Sequence, residues 1–233
     1  MKNKKIALVT GSTSGIGREI ALQLSQKNFH ILLTGKDKNK LEKIHDEIAQ
    51  HKGSSSIYML DLKDHDAIDR LGFEIFKRFK VLDILILNAG VLGTLGPLHH
   101  QNADEFQEVI NINLIANFRL IRSLDSILKA KNSKGIALII SSGVANNPRA
   151  YWGAYAISKS ALENMGKIWA AENIKTNLKI NIINPGATRT KMRASAVPGE
   201  DPNSNPSARE VASKIILCID DKNLKHGELI EIK

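Results

Sequence analysis

Tyr155 and Lys159 lie four residues apart in Tyr155-Ala156-Ile157-Ser158-Lys159. On a helix, positions i and i+4 share a face. A lysine ammonium would then stand beside a phenol and favour the phenolate. A free tyrosine has a pKa of ~10, too high for ready proton exchange at neutral pH. With Lys159 beside it, Tyr155 becomes a candidate general acid or base. Thirteen residues upstream of Tyr155, Ser142 follows an apolar run at 136–140. Its hydroxyl could hold a substrate oxygen in line. Much earlier, Thr10-Gly11-Ser12-Thr13-Ser14-Gly15-Ile16-Gly17 makes a glycine-rich turn. A phenol that can trade a proton near a bound dinucleotide points to carbonyl–alcohol redox chemistry. The plainer reading takes Tyr155 as a half-buried helix residue and Lys159 as a surface cation, and it gives the glycine turn no purpose.

A pyrophosphate is best held where backbone N–H groups converge at a helix N-terminus. Gly11 allows a sharp turn, Gly15 leaves room for phosphates, and Gly17 lets helix and strand approach closely. Ser12, Thr13 and Ser14 add hydroxyl donors, and Ile16 begins the helix. A structural glycine turn in any α/β protein would look alike. Methyltransferases with such turns usually need an acid at the end of the second strand. Here Leu33-Thr34-Gly35-Lys36 has none. A cation in that place suggests a 2′-phosphate, so NADP(H) is favoured and NAD(H) remains possible. A solvated loop lysine is the competing account of Lys36.

These groups need elements to position them. Apolar strand-like runs occur at 6–10, 31–34, 57–60, 84–87, 136–140, 180–183 and 229–232. Helical spacing marks 16–27, 41–50, 67–79, 106–129, 154–174 and 208–219. Such alternation predicts an α/β fold, with parallel strands joined by right-handed crossovers. The expected architecture is one doubly wound parallel sheet of about seven strands and six helices. It spans residues 1–233 as a single dinucleotide-binding and catalytic domain. Residues 194–207 carry Pro198, Gly199, Pro202 and Pro206 and read as a loop. The wider segment 188–207 is expected to be a substrate loop near the site.

Composition narrows the rest. The chain has 233 residues, 42% of them hydrophobic, and a formal charge of +9. Its lysines are scattered without interleaved aromatics, so no nucleic-acid partner is expected. No apolar run approaches the ~20 residues of a membrane span. Basic Met1–Lys5 precedes only five residues before Gly11, too few for a secretory apolar region. The lone Cys218 permits no internal disulfide, so a cytoplasmic location is expected. Cys218 itself, in an apolar stretch, is expected to be buried. His99 and His100 are adjacent, but no nearby Cys or His completes a metal set. Arg149, Tyr151 and Trp152 are candidates for a substrate pocket, with packing equally open for Trp152.

Taken together, these motifs resemble the short-chain dehydrogenase/reductase family, in its compact single-domain Rossmann form. The likeness covers nearly the whole chain. It rests on residues 10–17, Asp61-Leu62, Asn88-Ala89-Gly90, Asn113, Ser142, Tyr155, Lys159, and Asn184-Pro185-Gly186 with Thr188 and Thr190. The resemblance implies that Asn113, Ser142, Tyr155 and Lys159 are catalytic. It implies that Asp61 and Leu62 contact adenine, that Lys159 also binds the nicotinamide ribose, and that Asn113 holds a water in a relay to Lys159. Pro185, Gly186, Thr188 and Thr190 would hold the nicotinamide carboxamide. A helix N-cap neighbour is the plainer reading of Asp61. Ser14 stands where many NADP-preferring members carry a basic residue. The implied function is interconversion of a ketone or aldehyde with an alcohol. A 3-oxoacyl thioester reductase and a non-catalytic NAD(P)-binding regulator are the alternatives. By the same resemblance, the helix running through Leu162, Met165, Ile168, Trp169 and Ala170 pairs subunits in a homodimer or homotetramer.

Overall fold

Seven parallel strands make one sheet: β1 (Lys5–Val9), β2 (Phe29–Gly35), β3 (Ser54–Met59), β4 (Ile84–Leu87), β5 (Ile136–Ile140), β6 (Lys179–Asn184) and β7 (Leu229–Glu231). Their order is β3-β2-β1-β4-β5-β6-β7. The computed structural model describes residues 4–130, 134–220 and 224–232. The chain winds outward from β1 to β3, returns to β4 beside β1, and winds outward again. This reversal leaves a crevice at the carboxyl ends of β1 and β4.

The strands read as continuous apolar runs because both faces are covered. One face packs under α1 (Gly15–Ser25), α2 (Lys38–Gln50) and α8 (Ala208–Asp220), with Val9, Ile31, Leu33 and Ile86 in that core. The other packs under α3 (His65–Phe79), α5 (Ala116–Leu128) and α6 (Gly153–Glu172), with Leu8, Leu32, Leu85 and Ile139 between. Each such Leu or Ile contributes ~1.5–3 kcal/mol when fully buried. The nine described ion pairs all join side chains at least 19% exposed. Pairs of that kind are worth about 0–1 kcal/mol each, so the two apolar layers hold the site's elements in place. Among the described residues, no helix is long and apolar enough to cross a membrane.

The structure departs from the sequence expectations in three places. The helix expected over 106–129 is instead α4 (Ala103–Ile110), a π-helical turn (Asn111–Ile115) and α5. The interruption falls where Asn113 turns inward. The stretch 194–207 is partly helical, with α7 (Lys191–Ala196) and a 3₁₀ turn (Pro202–Ser204). Thr190 accepts from the Arg193 N–H and Asp201 from the Asn203 N–H, and these caps outweigh the nearby prolines. Cys218 is half-buried, at the margin of α8, because Val211, Ala212, Ile215, Ile216 and Ile219 form that helix's inner face. Along α6, Leu162, Trp169 and Ala170 lie inside the chain's own core and Met165 packs against it, whereas Ile168 is 53% exposed.

Candidate active site

The glycine turn is fixed by steric necessity. Gly11 and Gly15 have φ of +64° and +56°, a region that side chains resist. A Cβ on Gly11 would sit 2.9 Å from the Ala89 Cα, and one on Gly17 would sit 2.3 Å from Asn88 Nδ2. Thr10 joins the two strand ends: its Oγ1 accepts from the Asn88 and Ala89 N–H groups at 2.9 and 3.0 Å. Asn88 Nδ2 donates back to the Thr10 carbonyl at 2.9 Å. The side chain of Asn88 therefore braces the turn.

The three hydroxyls expected to face phosphate separate. Ser12 is fully buried and donates to the Thr34 carbonyl at 3.1 Å, so its hydroxyl is occupied by the end of β2. Thr13 packs against Gly35, where a Cβ would lie 2.7 Å from its Cγ2. Ser14 is exposed at the N-terminus of α1 and its side chain makes no cap bond. Ile16 packs against the core beneath α1. Lys36 is exposed just beyond β2. Asp61 is exposed, accepts from the Lys63 N–H at 3.0 Å, and leaves the capping of α3 to Asp64. Leu62 packs against the core beneath α3. A narrow turn whose glycines have no room for side chains, an open helix N-terminus and a nearby exposed lysine fit a dinucleotide phosphate.

Across the crevice, Tyr155 and Lys159 share a face of α6. Tyr155 is 8% exposed and Lys159 is 4% exposed. Lys159 Nζ lies 5.8 Å from the Tyr155 ring centroid and donates to the Ile140 carbonyl at 2.8 Å. Ser142, half-buried, stands close enough to the Tyr155 hydroxyl to influence it. Burial pushes the Tyr155 pKa above its ordinary value, and Ser142 acts against that rise. The lowering expected from Lys159 does not contribute: the amine faces the Ile140 carbonyl, and loss of water around the phenol sets the direction. Burial also lowers Lys159, to about 8, and the charge of Glu163 opposes that fall.

Asn113 is fully buried in the π turn. Its Oδ1 accepts from the Val91 N–H at 2.8 Å, and its Nδ2 donates to the Val91 carbonyl at 2.9 Å and to Ser158 Oγ at 3.0 Å. A Cβ at Gly90 would lie 3.0 Å from Asn113 Oδ1 and 3.6 Å from Lys159 Nζ, so the end of β4, the π turn and α6 converge there. After β6, Gly186 has φ of +67° and Thr188 is buried, donating to the Pro185 carbonyl at 3.4 Å. Thr190 reaches the glycine turn: a Cβ on Gly15 would lie 3.4 Å from its Cγ2.

Trp152 is half-buried with its ring 6.0 Å from that of Tyr155. Tyr151 is 62% exposed and takes φ of +74°, unusual for an aromatic residue. Its carbonyl accepts from the Gly96 N–H at 2.9 Å, tying the loop after β4 to the start of α6. Beside this tie is a cavity of about 170 Å³ lined by Gly93, Thr94, His100, Gln101, Phe106 and Ala154. Arg149 is exposed. Among the described residues, no three His, Cys, Asp or Glu side chains gather as a metal set.

Sequence reasoning missed Ser158, Ser141 and Glu163. Ser158 donates to the Tyr155 carbonyl at 2.8 Å and links it to Asn113. Ser141 donates to Glu163 at 2.6 Å. The available signal was an acid at i+4 from Lys159 on a helix face that is otherwise apolar.

Known proteins of similar sequence and fold identify the family. The short chain dehydrogenase family profile matches residues 5–201. The oxidoreductase YciK of Escherichia coli is 36% identical over 97% of this chain and 90% of its own length. A short chain dehydrogenase from Shigella flexneri, solved as a complex with NADP, superposes with a TM-score of 0.93 at 35% identity, over 98% of this chain and 97% of that one. A 3-oxoacyl-[acyl-carrier-protein] reductase from Buchnera aphidicola is 31% identical over 81% of this chain and 75% of its own. The crevice at the strand ends thus lies in a chain that belongs to the short-chain dehydrogenase family of oxidoreductases.

Proposed function

We propose that the chain is an NADP(H)-dependent oxidoreductase that interconverts a small-molecule ketone or aldehyde with its alcohol. The observation that carries this reading is the buried Tyr155 phenol, beside Ser142 and one helical turn from Lys159 at the carboxyl end of β5. The reduced coenzyme, when bound, supplies the hydride that reaches the carbonyl carbon. Ser142 holds the carbonyl oxygen, and Tyr155 delivers a proton to it. A phenol raised by burial keeps its proton until a developing alkoxide draws it away, which suits the reducing direction. Lys159, as a cation, stabilises the phenolate that remains. Asn113 fixes Val91 and Ser158 around that amine. In the reverse direction the same phenolate accepts the alcohol proton.

On this reading, residues 11–17 hold the pyrophosphate and Lys36 meets the 2′-phosphate. Asp61 and Leu62 flank adenine, Asn88, Ala89 and Gly90 back the ribose side, and Pro185, Gly186, Thr188 and Thr190 receive the carboxamide. The NADP complex of the Shigella flexneri relative supports the phosphate assignment. Segment 188–207 covers substrate. Its ends are tied by a bridge between Arg189 and Ser207, and its turn by a bidentate Arg193–Glu200 pair with one N···O of 2.6 Å. A 3-oxoacyl thioester is the second substrate class, favoured by the Buchnera aphidicola relative and by a charge of +9 suited to an acidic carrier. The exposed apolar Phe118, Ile157 and Ile168 on α5 and α6 support a homodimer or homotetramer, which light scattering tests. The lone cysteine is compatible with a cytoplasmic location.

The deciding experiment mixes purified protein with NADPH and a carbonyl panel that includes 3-oxoacyl thioesters. Absorbance loss reports turnover and NADPH fluorescence reports binding. Tyr155→Phe should keep binding and lower turnover by about 10²–10⁴-fold, the usual range for a general acid. Turnover that survives this change would overturn the acid–base role.

A further inference from the structure

We propose that Glu163 is a positioning residue: it keeps Lys159 cationic and pins the strand end that carries Ser142, a role that rests on the catalytic reading of Tyr155 and Lys159. Glu163 lies one turn beyond Lys159 on α6 and is 2% exposed. Its carboxylate accepts from Ser141 Oγ and from Asn146 Nδ2, both at 2.6 Å. Lys159 donates to the carbonyl of Ile140, and Ser160 donates to the carbonyl of Ala145. Tyr155 meets Ser142. One face of one helix therefore grips residues 140, 141, 142, 145 and 146. Ser142 sits between anchored Ser141 and anchored Ala145, so its hydroxyl has little freedom to drift from the phenol.

Geometry alone would be served by a neutral acceptor. A buried carboxylate with two neutral donors is costly unless a cation compensates it. The cation on the same face is Lys159, whose own burial favours the neutral amine. The two groups relieve each other through space, since the amine's hydrogen bond goes to Ile140 and the carboxylate's bonds go to Ser141 and Asn146. Among the described residues, the other elements packed against Lys159 bring no charge: β5 offers the Ile140 carbonyl, the end of β4 offers Gly90, and the π turn offers Asn113. The titratable neighbours are Tyr155 and Glu163, both on α6.

The test follows the Lys159 side chain by NMR through a pH titration of the full chain, its signal assigned by loss in Lys159→Met. Glu163→Gln keeps the shape of the side chain, and the Asn146 amide can rotate to keep its bond. The variant should lower the Lys159 pKa by about one unit, a roughly tenfold loss of ammonium above the new midpoint. A midpoint that moves by less than about 0.3 units, a twofold change, would overturn the inference. Ser141→Ala removes a hydrogen bond and keeps the charge, so it should leave the midpoint in place. A shift as large as that of Glu163→Gln would mean that packing, not charge, is responsible. Should Glu163→Gln fail to fold, Glu163→Asp draws the charge back by one methylene and should give a smaller fall of about half a unit, an unmoved midpoint again counting against the inference. Tyr155→Phe turnover judges the catalytic reading separately, because neither result determines the other.

Discussion

His30 and Lys159 are both basic side chains removed from water, and burial lowers both, yet they end in opposite conditions. His30 lies on β2 and is 2% exposed, with its ring nitrogens against Ser54 Oγ and Ser56 Oγ of β3 at 3.0 and 2.9 Å. Burial first, and then the positive charges of Arg78 and Lys4, together lower its pKa to about 4. Lys159 falls only to about 8, because Glu163 resists. Desolvation pushes each group toward neutrality. The sign of the neighbouring charge decides whether the group is silent or titrates near working pH. The β2–β3 edge uses its histidine as a neutral strut, whereas the strand-end crevice keeps a cation poised.

The contrast is most directly broken at Lys159. Lys159→Met should lower turnover by about 10²-fold or more and lower the melting temperature as well, because it leaves the Glu163 carboxylate buried without its cation. Calorimetry alongside the absorbance assay checks both halves of that statement; an unchanged melting temperature would mean that the carboxylate does not depend on the amine. Next comes the glycine turn, which belongs to the silent side. Gly17→Ala drives a Cβ into Asn88 Nδ2 and the Gly11 carbonyl, 2.3 and 2.6 Å away. It should cost about 2–4 kcal/mol in denaturant unfolding, as overpacking and a broken hydrogen bond add.

His30 supplies the pH test. Its folded pKa of about 4 lies below the unfolded value of 6.5, so the unfolded chain binds the extra proton first. Its contribution is complete above pH ~6.5 and is lost as pH falls toward ~4, by on the order of 2 kcal/mol once solvent screening is allowed for. Urea unfolding of wild type and His30→Gln across that window should show the slope in the first and most of it missing in the second. The smallest effect is at Lys36. Lys36→Ala should reduce the preference for NADPH over NADH by about tenfold, the value of one lost exposed charge contact to phosphate. An unchanged preference would move the 2′-phosphate partner elsewhere.

The fold was legible because periodicity is a property of local sequence. The expected bounds of β4 and β5 coincide with the observed ones, since continuous apolar residues with polar or glycine flanks leave no other register. Gly11, Gly15 and Gly17 were legible for a related reason: the backbone there excludes a side chain whatever surrounds it. What could not be read were contacts between distant parts. Nothing near Ser12 in sequence says that its hydroxyl closes on Thr34, and nothing near Glu163 names Ser141 and Asn146. The direction of the Tyr155 shift was misjudged because a neighbouring charge can be inferred from spacing, while loss of water depends on every element packed around the ring. Thr190 and Asp201 were visible as residue types, but only the folded chain shows that their caps prevail over the nearby prolines.

The π turn at Asn111–Ile115 sets a constraint on chain length. A regular helix advances ~100° per residue, so a wide turn absorbs one residue without rotating what lies on either side. Leu120 and Leu124 face the core while Asn113 faces Val91 within a single run of helix. Deleting one residue from 111–115 would let the helix close into a uniform coil, yet it would swing Asn113 away from Val91 or the leucines out of the core. Single-residue gaps should therefore be excluded at this spot, even where the substitution of one apolar side chain for another passes unnoticed.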